Sequence, residues 1–311
     1  MRKPDTVVYF RNGIGNFVMM TPAIRALAEL DGSHKVDLCF CDDWTDSRMP
    51  AVRDIAENWD LINAIVVYPK ERLRDDYKTY FWCHHTEGGE ALNYFMSRQK
   101  PLYHLQRWGE MHEVDYYMEH VYSLGYQGLP PSQFVPVSKK APTLPSRLPI
   151  IALGNGAFQS DMWNKKRWPH FALLAETLKR YFECSVVLVG AGKELAEVNR
   201  KYVDCDFVDK LSMTETASVL NRVDLFVTTD SGNMHIADAL GTRLIALFGG
   251  TYLSKNRPLG SRAFVLRAGY PCQPCQGKEQ FNNCTNYRCM NDLLVGEVMH
   301  EIKKRMRVNE K

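Results

Sequence analysis

Asp230, Ser231, Gly232 and His235 have the residue types and spacing to hold an anion. The turn Thr229-Asp230-Ser231-Gly232 closes an apolar, β-branched run over 223–228. It opens a stretch with Met234, Ile236, Ala237 and Leu240 at helical spacing, followed by Gly241, a natural helix end, and a second apolar run over 244–248. The predicted order is strand, tight turn, helix, strand. In a parallel α/β sheet, ligands bind outside the carboxyl ends of the strands, where a helix N-terminus offers N–H groups and partial positive charge. The same Asp-Ser-Gly string also serves ordinary helix capping, so this segment alone leaves both phosphate binding and capping open.

Two other clusters could carry chemistry. Asn164-Lys165-Lys166-Arg167-Trp168-Pro169 places three cations before a predicted helix, at the end where the helix dipole disfavours them. Either the run is a solvated loop, or it faces a polyanion that offsets the cost. Cys272, Cys275, Cys284 and Cys289 form C-x2-C-x8-C-x4-C, a spacing that can close a thiolate site for zinc or iron. Reduced thiols and disulfides remain the alternatives. Near the start, Gly13-Ile14-Gly15 follows a predicted strand, but the third glycine of a dinucleotide fingerprint and its acidic partner about 20 residues on are both missing.

The elements that must position these residues follow from composition and pattern. A chain of 311 residues, 45% hydrophobic and 24% charged, can bury two ordinary cores. The net charge of +3 is spread along the sequence, which argues against a nucleic-acid partner. The basic run at 303–307 reads as the solvated end of a last helix over 296–307. No apolar run reaches membrane-spanning length and 6–10 is too short for a signal peptide. The expectation is therefore a cytoplasmic protein in which Cys39, Cys41, Cys83, Cys184 and Cys205 stay reduced.

In the first half, strands are predicted over 6–10, 35–40, 62–68 and 79–83, with helices over 17–30 and 114–124. Polar residues follow the strands: Arg11 to Asn16, then Asp42 and Asp43, then His84, His85 and Glu87. Six prolines between 129 and 149 mark a linker. Strands over 149–153 and 185–189, a short one near 207, and helices over 170–182, 193–202 and 214–222 then lead into the opening segment.

The strings themselves resemble glycosyltransferase family 9, the ADP-heptose heptosyltransferases of lipopolysaccharide core assembly. The family pattern T-[ND]-[DS]-[ST]-G-x-x-H-x-A-A-A-L-G, then [FY]-G-x-T, is matched at Thr229, Asp230, Ser231, Gly232, His235, Ala237, Ala239, Leu240, Gly241, Phe248, Gly249 and Thr251. Its K-x-W-P is matched by Lys166, Trp168 and Pro169, and its P-C-x-P-C and R-C-M by Pro271 to Cys275 and by Arg288 to Met290. Its R-x-x-x-G-D and T-P-A-x-x-x-L are matched by Arg11, Gly15, Thr21, Pro22, Ala23 and Leu27, with Asn16 where the family has aspartate.

The resemblance implies an α/β protein of GT-B architecture, two Rossmann-like domains facing each other across a cleft. The expected division is an acceptor-side domain over 1–140, a linker over 141–148, a nucleotide-sugar domain over 149–294 with a cysteine-rich loop at 271–290, and a helix and tail over 295–311. It implies inverting transfer of a sugar, a heptose first among candidates, from an ADP- or other NDP-sugar to an acceptor hydroxyl. Gly15, Lys166, Asp230, Ser231, Gly232 and His235 would bind the donor, with Asn16, Lys166 and His235 at the catalytic positions. Because an amide is no general base, Asp42, Asp43, His84, His85 and Glu87 are the alternative bases. The acceptor is left open among a glycan, lipopolysaccharide core and protein, at the inner face of a membrane or in the cytoplasm. No catalytic metal is expected, and a zinc or iron at the four cysteines would be structural and remote from the chemistry. Asn16 also motivates a catalytically silent nucleotide-sugar binder or assembly subunit; a GT-B epimerase or a Rossmann oxidoreductase shares only the fold.

Overall fold

The apolar, β-branched runs become buried parallel strands, alternating with helices that cover them. The structure, a computed structural model, describes residues 2–82, 90–98, 110–158 and 160–306. The chain divides into two compact units, Met1–Pro136 and Val137–Lys311.

In the first unit the order is β1 (Thr6–Tyr9), α1 (Ile14–Leu30), β2 (Val36–Cys41), α2 (Arg48–Glu57), β3 (Ile62–Tyr68), β4 (Thr79–Phe81), α3 (Glu90–Arg98) and α4 (Glu113–Ser123). The strands form a parallel sheet in the order β3-β2-β1-β4. Its carboxyl edge therefore collects Arg11 to Asn16 after β1 and Asp42 and Asp43 after β2. Cys83, His84, His85 and Glu87 lie outside the described residues. Helix α1 begins at Ile14 rather than residue 17, so Gly15 and Asn16 sit in its first turn and not in a loop. The earlier start puts Pro22 in the helix interior, where it cannot donate to the Val18 carbonyl. The Thr21 hydroxyl does so instead, at 2.7 Å, and accepts the Phe134 N–H at 2.9 Å.

In the second unit the order is β5 (Ile150–Gly154), α5 (Asp161–Asn164), α6 (Phe171–Tyr181), β6 (Ser185–Leu188), β7 (Cys205–Asp206), α7 (Met213–Leu220), β8 (Leu225–Thr229), α8 (Gly232–Ala239), β9 (Leu244–Leu247), α9 (Leu253–Asn256), β10 (Ala263–Leu266), α10 (Glu279–Asn282), α11 (Arg288–Asn291) and α12 (Val295–Arg305). The strand order β10-β9-β8-β5-β6-β7 is parallel throughout and reverses direction between β5 and β8. That reversal is the switch point at which doubly wound sheets bind their ligands. The core beneath it gathers Ile151, Leu153, Trp168, Leu174, Val227, Leu247 and Ile302, all fully buried.

One predicted helix is absent: 193–202 holds a run of turns and a single 3-10 turn, Arg200–Tyr202. Gly192 has a φ of +61°, and the Glu194 carboxylate turns back to accept the Ala191 N–H. The Arg200 guanidinium takes the Leu195 and Val198 carbonyls, leaving them nothing to gain from a helical ladder. The proline stretch expected as a linker is tied to the second unit. The Pro142 and Arg147 carbonyls accept from Arg222 and Ser185.

Thr21→Val keeps the shape of the side chain but orphans both the Val18 carbonyl and the Phe134 N–H. It should lower the stability of the first unit by about 1–3 kcal/mol in chemical denaturation, while Thr21→Ser, which keeps the hydroxyl, should cost less. Equal losses in the two variants would show that the hydroxyl is not what repairs the proline gap.

Candidate functional site

The carboxyl edge of the second sheet is drawn tight by small residues. A Cβ on Gly154 would lie 2.8 Å from the Phe226 ring, and one on Gly156 would lie 3.0 Å from the Ser231 Cβ. The two loops at the switch point therefore touch, and Thr229 Oγ1 donates to the Gly156 carbonyl at 2.9 Å. The buried Asn155 then clamps the basic run: its amide donates to the Trp168 carbonyl at 3.0 Å and accepts the Trp168 N–H at 2.9 Å. Trp168 is fully buried, and its indole N–H bonds the Leu293 carbonyl at 2.8 Å.

The clamp delivers Lys166 to Asp230, with Nζ 2.8 Å from Oδ2 and side chains only 16% and 4% exposed. The turn that carries Asp230 is polar in sequence, yet the structure buries its carboxylate. Burial opposes the Asp230 charge, but Lys166, then His235 and the nearby Thr251 hydroxyl, outweigh it and hold the carboxyl below the usual aspartate range. Lys166 Nζ also lies 4.8 Å from the centre of the Trp163 ring. Ser231 caps α8, its side chain accepting the Met234 N–H. Capping and anion binding are therefore compatible here, because the first-turn N–H groups of Gly232 and Asn233 have no partner within the helix. His235 is buried in the next position of that turn.

Two residues of this edge escape the sequence patterns. Glu194 follows β6, 7% exposed, with a carboxylate that accepts the Ala191 N–H at 3.2 Å and lies near the Ala157 backbone. Burial pushes its pKa up, against those hydrogen bonds and the nearby Arg167. Arg167 Nε and Nη2 are buried with no hydrogen-bond partner among the described residues. A glutamate just past Gly190-x-Gly192 at a strand end was the available signal for the first. Nothing in the sequence separates Arg167 from its lysine neighbours.

The four cysteines are not remote from this edge. A Cβ on Gly250 would lie 2.8 Å from Cys275 Sγ, and one on Gly249 would lie 3.4 Å from Cys289 Sγ. The Gly250 carbonyl accepts the N–H groups of Cys275 and Gln276 at 2.8 and 2.9 Å. All four thiols are free, with Cys272 exposed and Cys275 buried. Burial, then its neighbours Cys275, Cys284 and Cys272, push the Cys289 thiol up to about 11. No three of the four sulfurs come within 4.8 Å of one another among the described residues. Four unbridged thiols near enough to perturb each other nevertheless suit a soft metal ion, whose binding would displace their protons.

In the first unit Asn16 sits in the first turn of α1, and Arg11 reaches Asp43 at 2.7 Å. The Cys41 thiol and the Arg11 guanidinium hold the Asp43 carboxyl below its usual range, which makes it a weak base. The ligand atoms of Cys41, Asp42 and Asp43 lie within 4.8 Å of one another, but Arg11 already neutralises Asp43, which leaves the group a poor cation site.

The family model of glycosyltransferase family 9 (heptosyltransferase) matches residues 131–286, a stretch that contains Lys166, Glu194, Asp230 and His235. The chain belongs to glycosyltransferase family 9. It is 28% identical over 169 residues to lipooligosaccharide heptosyltransferase 2 of Campylobacter jejuni, a match covering 50% of this chain and 51% of that one. The chain thus spans about half the length of the curated relatives it matches. Among solved structures, it resembles Escherichia coli ADP-heptose lps heptosyltransferase II with a TM-score of 0.71 at 18% identity, over 96% and 98% of the two chains. It also resembles TibC, a dodecameric iron-containing heptosyltransferase solved with ADP-D-beta-D-heptose, with a TM-score of 0.65 at 14% identity over 98% and 76%. These likenesses establish the GT-B fold, with its two parallel α/β units.

The two buried carboxylates of this edge should respond to pH in opposite directions. Asp230, with a lowered pKa, stabilises the fold above the ordinary aspartate value of 3.8 and loses that contribution as the pH falls through its folded-state value. Glu194, with a raised pKa, contributes fully below 4.5 and loses its contribution as the pH rises through its folded-state value. Glu194→Gln should therefore be at least as stable as the parent at neutral pH and flatten the decline above pH 4.5 in denaturation curves. A variant less stable than the parent at pH 7, with the decline unchanged, contradicts the assignment.

Proposed function

We propose that this chain is an inverting glycosyltransferase that moves a heptose from ADP-heptose, or a related NDP-sugar, to an acceptor hydroxyl. The observation that carries this reading is the buried Lys166–Asp230 pair at the N-terminus of α8, held at the switch point of a sheet whose sequence matches the family. The relatives named heptosyltransferase and the neighbour solved with ADP-D-beta-D-heptose support the donor class.

In the reaction the acceptor oxygen forms a bond to the anomeric carbon as the bond from that carbon to the diphosphate breaks. The proton goes to a base, and both electrons of the broken bond leave on ADP. The developing charge on the diphosphate is met by the first N–H groups of α8, by Lys166 and by the open donors of Arg167. His235 stands in the same turn, and Gly15 belongs to the acceptor-side unit. Asp230 fixes the position of Lys166 and presents a carboxylate oxygen to a sugar hydroxyl. Glu194, a two-oxygen acceptor at the end of β6, suits the paired hydroxyls of a ribose.

The base belongs to the first unit. Asn16 can orient a hydroxyl but not take its proton, and Asp43 is committed to Arg11. Asp42 is then the candidate base among the described residues; His84, His85 and Glu87 lie outside them. Cys272, Cys275, Cys284 and Cys289 would hold a zinc or iron that cross-links the loop, and no step of transfer passes through it. No helix among the described residues is long and apolar enough to cross a membrane. The acceptor is a glycan, lipopolysaccharide core or protein, met in the cytoplasm or at the inner face of a membrane. The silent-binder reading rests on Asn16 alone.

The test is binding and turnover with ADP-heptose. Lys166→Met and Arg167→Met should each weaken binding about 10–100-fold, the worth of a charge-assisted hydrogen bond. Unchanged affinity in both would remove the diphosphate from this edge. General base catalysis contributes about 10²–10⁴-fold. Asp42→Asn should therefore slow transfer by at least about 100-fold without changing donor affinity, and Asn16→Asp should change the rate only modestly. A gain of about 100-fold from Asn16→Asp, with Asp42→Asn harmless, would show that the chain has lost its base.

A further inference from the structure

The basic run splits its two lysines between two tasks. Lys166 turns to Asp230, while Lys165 turns the other way and donates to the carbonyls of Phe281 and Asn282, each at 2.7 Å. Its ammonium also lies over the rings of Phe281 at 5.4 Å and Tyr287 at 5.9 Å. Those carbonyls and rings belong to the lobe that carries Cys275, Cys284 and Cys289. Trp163 packs on Phe281 with ring centres 6.1 Å apart, and His170 Nε2 meets the Asn291 carbonyl at 2.8 Å.

The lobe also grips the loop after β9. Gln273 donates to the Gly249 carbonyl at 2.6 Å, and Gly250 receives two lobe N–H groups. Cβ atoms at either glycine would collide with lobe side chains, Met290 Sδ and Cys275 Sγ, both at 2.8 Å. The next residue, Thr251, is buried with its hydroxyl near the Asp230 carboxylate, which it helps to hold low. Both routes from the lobe therefore end on the same ion pair, one through Lys165 to Lys166 and the other through Gly250 to Thr251 and Asp230. The hydrogen bonds are short and made to main chain, so a shift of the lobe cannot be absorbed by side-chain rotation alone.

We propose that Lys165 is a positioning residue that couples the four-cysteine lobe to the diphosphate site, so that order in the lobe and occupancy of that site strengthen each other. The proposal rests on the donor reading above. Coupling of this kind is reciprocal: a ligand at one end must tighten the other by the same factor. Any metal held by the four thiolates would act on donor affinity from outside the site, by fixing the lobe that Lys165 and Gly250 lean on.

ADP serves as the probe, and the full-length protein is used as purified and under reducing conditions. In the parent, saturating ADP should slow alkylation of Cys275 and Cys289 by iodoacetamide about tenfold, a typical coupling factor. Lys165→Met should weaken ADP binding by a similar factor and abolish the ADP-dependent protection. Lys165→Arg, which keeps the charge and can reach the same carbonyls, should restore most of both. Charge alone would weaken ADP binding in Lys165→Met yet leave the protection ratio intact, and that result overturns the proposal. So does an unchanged alkylation rate in a parent that binds ADP. If the parent does not bind ADP at all, the donor reading fails first and this proposal with it.

Discussion

An ion pair taken out of water sets the terms for the second unit. Lys166 and Asp230 meet at 2.8 Å with the carboxylate almost fully covered. Desolvating two charges costs several kcal/mol per ion unless the geometry is held closely and the remaining polar atoms are satisfied. The surrounding loops do that holding. Asn155 fixes the main chain of Trp168, Thr251 and His235 support the carboxylate, and the glycines at 154 and 156 let the β5 and β8 loops approach closely enough to do so. An arrangement this constrained is a poor choice for stability alone, since a matched apolar pair is often as stable or more so. It is a good choice for a site that must present one cation to an arriving diphosphate without reorganising.

The same constraint explains why three segments far apart in sequence converge here. The basic run, the turn before α8 and the cysteine lobe each supply part of the shell: Lys166 joins the run to the turn and Lys165 joins it to the lobe. The helix dipole of α8 favours an anion, while Asp230 repels one; Lys166 cancels that repulsion and leaves Arg167 and the α8 N–H groups in excess. Burial pushes the pKa of the nearby Glu194 up, against the pull of Arg167.

The strands of the second unit were legible because their apolar, β-branched runs are buried on both faces; β5, β6, β8 and β9 start or stop within a residue or two of the predicted bounds. The turn before α8 was legible for the same local reason, a polar tetrapeptide at a strand end. What failed locally was decided by tertiary contacts. The 193–202 segment has helical spacing, yet side chains of Glu194 and Arg200 take its backbone groups first. Residues 14–16 read as loop because Gly13 and Gly15 flank Ile14, yet α1 starts at Ile14. The burial of Asp230 and the closeness of the cysteine lobe depend on which loops pack together. No periodicity in either segment encodes that.

The central claim is that the carboxyl edge of the second sheet binds a nucleoside diphosphate at the N-terminus of α8. A crystal structure of the protein with ADP tests it most directly. The account predicts density for the diphosphate within hydrogen-bond distance of the Gly232 and Asn233 N–H groups and of Lys166 or Arg167, with the ribose toward Glu194. Density for ADP at the carboxyl edge of the first sheet, with the Lys166–Asp230 edge left without nucleotide, would contradict it.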